Sequence, residues 1–309
     1  MSVVEPAVAA LATSDLKRSF GSVRALDGFT MSLPAGQVTA LVGPNGSGKT
    51  TLLLILAGLL GPDGGSALVG GFDPVTNPYA AHRVTGWMPD FFGVYEGLSS
   101  IEYLELFGAA YGLPKGERAP RARELLATVG LEEFADRPVH TMSRGQKQRL
   151  GFARTIVHRP SVLLLDEPAS GLDPRARIEL RELVRRQAGD GAAVLVSSHI
   201  LTELEEMADL VVFAEAGRCR GVHGLSEIAA VNRSQTWKVR AIDPVSLKVA
   251  LSSAGGTELP DGSVVVPLQG DEAAADLLER LVAAGVRVTE LSPMSGGLEG
   301  AFMSMGGDE

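Results

Sequence analysis

Residues 37–60 read QVTALVGPNGSGKTTLLLILAGLL, and the fold follows from how this stretch divides. QVTALV (37–42) is a short apolar run that reads as a buried strand. GPNGSGKT (43–50) has the pattern G-x-x-x-x-G-K-[ST]. It sits between that strand and an apolar run that reads as a helix, which is the context the motif requires. Gly43, Gly46 and Gly48 let the backbone turn tightly round a phosphate chain. The exposed N–H groups and the positive end of the helix then face the phosphate oxygens. The stretch Gly43, Pro44, Asn45, Gly46, Ser47, Gly48, Lys49, Thr50 and Thr51 is expected to line the phosphate site. Within it Lys49 is expected to reach the β- and γ-phosphates, and Thr50 to place its hydroxyl on Mg²⁺. TLLLILAGLL (51–60) is apolar on every face, so it is expected as a helix buried inside a sheet-based domain. The bland alternative is a glycine-rich turn with an incidental lysine, and the strand and helix signals on either side argue against it.

A second metal-side pattern follows at VLLLDEP (162–168), an apolar strand ending in two carboxylates. Asp166 is placed to hold Mg²⁺ directly or through its water shell. Glu167 stands one residue further, where it is expected to polarise a water for in-line attack on phosphorus. Alone, an acidic pair after a strand is an ordinary surface turn; the upstream phosphate loop gives it meaning. Between the two lies MSRGQKQR (142–149), ahead of the helix-like run LGFARTIV. Serine and glycine at a helix start suit the presentation of a hydroxyl and backbone N–H groups to an anion.

Composition narrows the class. At 309 residues the chain has room for two domains with real cores. Its 45% hydrophobic and 21% charged residues are those of an ordinary globular protein. The net charge is −9, and acids outnumber bases on both sides of residue 221, which argues against a nucleic-acid partner. The one cysteine, Cys219, forms no intrachain disulfide and fits a reducing compartment. Glu5 and Pro6 interrupt any signal-like segment, and neither common lipidation pattern is seen. The run LLLILAGLL (52–60) is about half of the ~20 residues a membrane span needs. A chain without spans, placed in the cytoplasm, is the expectation.

In order along the chain these motifs resemble the ATP-binding subunit of an ABC transporter, over most of residues 13–221. MSRGQ (142–146) resembles the family signature LSGGQ, with Met142 for leucine and Arg144 for the first glycine. ASGLDP (169–174) resembles the loop after the Walker B carboxylates, and VLVSSH (194–199) the strand leading to the switch histidine. SFGSVRALDGFTMSL (19–33) resembles the segment whose aromatic stacks on adenine, which places Phe20 there. The resemblance implies a P-loop NTPase α/β fold and an ATPase with ATP and Mg²⁺ as cofactors. It implies two copies facing head to tail, Ser143, Gly145 and Gln146 of one closing on the γ-phosphate held by the other. Glu167, His199 and Lys49 are then the catalytic group. Arg144 is expected as a solvated charge in preference to a second phosphate contact.

The pattern breaks where the family usually has a glutamine. The matching segment is GWMPDFFGVYEGLS (86–99), with Asp90 in its place. A carboxylate suits Mg²⁺ through water, but it adds like charge near Asp166 and Glu167 and, when ionised, donates no hydrogen bond. Phe91, Phe92, Val94 and Tyr95 follow, either as local packing or as a docking surface for a membrane subunit. Helices are expected over 100–112, 119–130 and 144–158, forming an arm across about 90–160, with GERAP (116–120) a loop within it.

Beyond residue 225 the motifs stop and a β-α-β-β-α-β order appears, which suggests a small ferredoxin-like α+β domain over 225–309. The helix PVSLKVALSSAG is expected to end at Gly255. This domain shows no catalytic cluster, so dimer contact or regulation is its expected role. SGGLEGAFMSM (295–305) resembles the Leu-Glu-x-x-Phe helix of drug and polysaccharide exporter ATPases through Leu298, Glu299 and Phe302. The leading expectation is therefore an ATPase that powers export through a separate permease on the inner face of the membrane. The alternatives are a soluble ABC ATPase acting on another macromolecule, and a P-loop kinase or GTPase. The first lacks its basic surface or zinc modules, and the second lacks an Asn-Lys-x-Asp guanine reader.

Overall fold

The computed structural model describes residues 9–90, 93, 95, 97–198, 200–232, 237–251, 256–259, 261–268 and 270–293. Outside these lie Phe91, Phe92, Val94, His199 and Gly255, and also Leu298, Glu299 and Phe302. The chain divides between Val222 and His223 into two compact units, each with its own hydrophobic core.

The first unit begins with strands β1 (Leu11–Phe20), β2 (Val23–Leu33) and β3 (Val38–Val42), then helix α1 (Lys49–Leu56). It continues through β4 (Gly64–Val69), α2 (Pro78–Val84), β5 (Thr85–Met88), α3 (Ser100–Ala110), α4 (Lys115–Thr128) and α5 (Arg144–Thr155). It closes with β6 (Val162–Asp166), α6 (Pro174–Gly189), β7 (Ala193–Ser197), α7 (Leu201–Met207), β8 (Leu210–Glu215) and β9 (Arg218–Gly224).

The short central strands β3, β6 and β7 are buried at every position. Such continuous apolar strands mark a parallel sheet covered on both faces. They lie together in a six-stranded sheet of order β5-β6-β7-β3-β8-β9, with parallel ladders from β5 to β8. This order brings the loops after β3, β5, β6 and β7 to one edge, the carboxyl edge, where α/β sheets bind ligands. A separate three-stranded antiparallel sheet, β2-β1-β4, shares the core through Leu16, Leu26 and Phe29.

Two helices differ from expectation. The run 51–60 does not stay helical or buried to its end. Helix α1 stops at Leu56, the Ala57 N–H closes the last turn on Leu53, and Leu59 is 58% exposed. His82 Nε2 lies 3.1 Å from the Ala57 carbonyl, so a side chain from α2 supplies a partner that another turn would have provided. GERAP is not a loop: α4 starts at Lys115 and runs through Pro120. The proline forfeits one backbone bond. Burial of Ala122, Leu125 and Leu126 outweighs it, and Arg121 ties the helix to the end of α5 by bonds to the Ile156 and Val157 carbonyls at 2.7 and 3.1 Å.

The second unit contains α8 (Leu225–Asn232), β10 (Trp237–Ala241), α9 (Pro244–Leu251), β11 (Thr257–Glu258), β12 (Val264–Val266), α10 (Gly270–Ala283) and β13 (Val288–Pro293). Its sheet is antiparallel, of order β11-β12-β10-β13. After α8 this is the split β-α-β arrangement read from the sequence order. Alternation on β10 buries Trp237, Val239 and Ala241. Lys238 and Arg240 point the other way and share Asp261 at 3.0 and 2.9 Å. Among the described residues no helix is long and apolar enough to cross a membrane.

Candidate active site

The phosphate loop leaves β3 and re-enters the fold as α1. Pro44, Asn45 and Gly46 form its exposed rim; Ser47 and Gly48 are buried beneath. Gly48 has φ 98°, and a Cβ there would stand 2.4 Å from the Ala25 carbonyl of β2. No side chain fits that approach, so the loop depends on glycine at this point. Lys49 Nζ donates to the Gly43 and Pro44 carbonyls at 2.7 and 3.0 Å, curling the loop about its ammonium. Burial draws the Lys49 pKa below the usual lysine value, opposed by the attraction of Glu167 and then Asp166. The lysine and both carboxylates therefore share one electrostatic neighbourhood. Thr50 is exposed and Thr51 half-buried at the start of α1.

Asp166 ends β6 and is buried; it accepts a hydrogen bond from Ser197 Oγ at 2.6 Å. Ser197 is its register partner on β7. Glu167 follows with φ 49°, a left-handed backbone that glutamate rarely adopts. Its N–H donates to the carbonyl and hydroxyl of Ser197, both at 3.2 Å. Ser197 thus holds the Asp166 carboxylate and the Glu167 backbone in place. Sequence reasoning quoted this serine without assigning it a role; a hydroxyl ending an apolar strand was the available signal. Asp90 is exposed at the bend after β5. Met88 pairs with Leu165, so Asp90 leaves the sheet at the level of Glu167 on the neighbouring strand. Among the described residues no three His, Cys, Asp or Glu side chains form a ready metal cluster, so Asp90 is not gathered with Asp166 and Glu167 into one.

MSRGQ opens α5 as a capping box. The Ser143 hydroxyl accepts from the Gln146 N–H at 3.3 Å, and the Ser143 N–H donates to Gln146 Oε1 at 2.9 Å. Ser143 is exposed, with Gly145 in the first helical turn behind it. Gln146 Oε1 thereby orients Ser143. Arg144 is not simply solvated: it donates from Nη2 to Ser170 Oγ at 3.3 Å. Gln148, also unassigned from sequence, is buried and donates to the Pro168 carbonyl at 2.6 Å. Phe20, at the turn between β1 and β2, is 49% exposed, and the Arg18 guanidinium stands 4.9 Å from its ring centre. Arg18 is itself held by Asp63 at 2.9 Å.

The sequence model of the family described as "ABC transporter" matches residues 26–170. The daunorubicin resistance ATP-binding protein DrrA3 of Streptomyces coeruleorubidus is 32% identical over 305 residues, covering 97% of this chain and 96% of that protein. The chain belongs to the ATP-binding subunits of the ABC transporter family. A solved ATP-binding subunit of an ABC transporter superposes on this cassette with a TM-score of 0.66 at 31% identity, covering 71% of this chain and 91% of that one. The probable multidrug ABC transporter ATP-binding protein YbhF of Escherichia coli is 46% identical over 184 residues; these are 60% of this cassette's chain and only 32% of YbhF.

The residues of this ABC cassette fit a nucleoside triphosphate with a divalent cation. The Ser47 hydroxyl is buried in the loop without a hydrogen-bond partner, Lys49 is already turned toward loop oxygens, and Thr50 and Asp166 supply the hard oxygen donors Mg²⁺ takes.

Proposed function

We propose that the chain hydrolyses ATP and that this powers export of a substrate through a separate membrane permease. The observation that carries the reading is the shared neighbourhood of Lys49, Asp166 and Glu167 at the carboxyl edge of one sheet. Bound Mg²⁺ would neutralise developing charge on the phosphates, with Thr50 and Asp166 as its protein ligands and Asp90 reaching it through water. Lys49 and the loop N–H groups bind and orient the β- and γ-phosphates. Glu167, fixed by Ser197, takes a proton from the attacking water. His199 hydrogen-bonds the γ-phosphate. Phe20 stacks its open face on adenine.

The exposed Ser143 and the N-terminus of α5 complete the site of a second copy, so each chain contributes one cradle and one lid. ATP binding draws two copies together and hydrolysis lets them part, which supplies the stroke. The permease docks beside β5. There Tyr95 is 56% exposed, and a cavity of about 550 Å³ is lined by Leu59, Tyr79, Trp87 and Tyr111. Docking places the cassette on the cytoplasmic face as a peripheral subunit. The second unit serves as a dimer contact or regulatory module; Val245 and Val249, four residues apart on α9, are each 70% exposed.

Turnover of MgATP by the purified chain tests this reading. Lys49→Ala should lose binding or hydrolysis. Glu167→Gln should lose hydrolysis and elute as a dimer with MgATP but as a monomer without it. Undiminished turnover by the Glu167 variant removes the proposed base, and nucleotide-independent elution removes the closure.

A further inference from the structure

Arg144 occupies a signature position where the family pattern has glycine, and the structure gives it work inside its own chain. Its guanidinium lies flat against the loop that follows Glu167. A Cβ on Gly171 would stand 2.3 Å from Arg144 Cζ and 2.5 Å from Nε, so the guanidinium covers the Gly171 Cα, while φ 69° is what calls for glycine there. Arg144 Nη2 donates to Ser170 Oγ. Ser170 in turn donates its backbone N–H to the Glu167 carbonyl at 3.0 Å. One turn along α5, Gln148 grips the same loop at Pro168.

We propose that Arg144 is a positioning residue for Glu167: it holds Ser170, and Ser170 holds the left-handed Glu167 backbone. The inference rests on the reading of Glu167 as the water-polarising carboxylate. Glu167 sits at a φ that an L-residue leaves readily unless its neighbours fix it. Ser197 fixes its N–H side, and the Arg144–Ser170 pair fixes its carbonyl side. Arginine suits the task because a planar fork can cover a glycine and donate at its edge, which an ammonium cannot. The consequence is a link between two sites. The N-terminus of α5 that serves a partner copy's phosphate also sets the carboxylate acting on the chain's own nucleotide.

The test uses the full chain with Arg144→Gly, Arg144→Lys, Ser170→Ala and the Arg144→Gly/Ser170→Ala pair. Two quantities are read: kcat and KM for MgATP, and hydrogen exchange of the 167–172 amides in nucleotide-free protein. Arg144→Gly should lower kcat by about fivefold to tenfold, with KM for ATP changed less than about twofold. It should also speed exchange at the Ser170 amide. Ser170→Ala should act in the same direction, and the pair should be no slower than the worse single variant, as for residues in one chain of contacts. Arg144→Lys should recover only part of kcat. An unchanged kcat and exchange in Arg144→Gly overturns the proposal, as do multiplicative effects in the pair. A raised KM at constant kcat overturns it too, making Arg144 a phosphate contact. If the wild-type chain does not turn over ATP, the functional reading falls, and unaltered Ser170 exchange then rejects the clip by itself.

Discussion

Glu167 illustrates how a single residue is held where its own preference would not put it. A non-glycine residue at φ 49° costs on the order of 1 kcal/mol or more, and the Ser197 and Ser170 hydrogen bonds offset that cost. His158 shows the same logic in electrostatics. Its ring stacks on Tyr111 at 3.6 Å and 7°, Nε2 lies 3.0 Å from the Thr85 carbonyl, and Nδ1 is buried without a hydrogen-bond partner. Burial pushes its pKa down to about 4; the Thr85 bond opposes this and the Arg121 charge adds to it. The folded state therefore binds fewer protons than the unfolded chain between about pH 4 and the ordinary histidine value of about 6.5. Stability is fully present above that window and is lost as pH falls through it, by at most about 3 kcal/mol. Urea midpoints between pH 7 and pH 4 measure this, and His158→Phe, which keeps a stacking ring, should flatten the slope.

At the scale of elements, two helices of the arm, α3 and α5, begin at capping boxes. Ser99 caps α3: its hydroxyl accepts from the Glu102 N–H, and its own N–H donates to Glu102 Oε2 at 2.8 Å. Those bonds to the Ser99 N–H and hydroxyl lower the Glu102 pKa. Ser99→Ala should cost about 1 kcal/mol, seen as a lower urea midpoint at unchanged slope, with the phosphate loop's affinity for ATP kept. The starts of α3 and α5 at residues 100 and 144 were legible in the sequence, and each carries a capping box, a local arrangement of neighbouring residues. The course of α4 through Pro120 was not, since propensity argued for a break and the deciding term was burial against the rest of the arm. The end of α1 was hidden for a related reason: it depends on His82, which reaches the Ala57 carbonyl from another helix.

At the scale of the molecule, two units with separate cores imply two melting events. Leu247 is fully buried in the core of the second unit with Val239 and Leu277. Leu247→Ala should destabilise that unit by roughly 2–5 kcal/mol through the cavity it leaves. Calorimetry should show one transition falling while the other, and fluorescent-nucleotide binding, stay where they were. A joint shift of both transitions would show instead that the units unfold as one.

The sequence by itself determined the phosphate loop, the Asp166–Glu167 pair where β6 ends, the signature helix start and the β-α-β-β-α-β order of β10 to β13. Each is written in residues adjacent along the chain, where spacing and periodicity act directly. Tertiary structure alone decided which strand ends meet, because β3, β6 and β7 are neighbours through ladders that cross long stretches of sequence. It gave Ser197 its grip on the Asp166 carboxylate and the Glu167 backbone, and laid Arg144 across Gly171. Such contacts join residues far apart in the chain, and only packing can bring them within hydrogen-bonding distance.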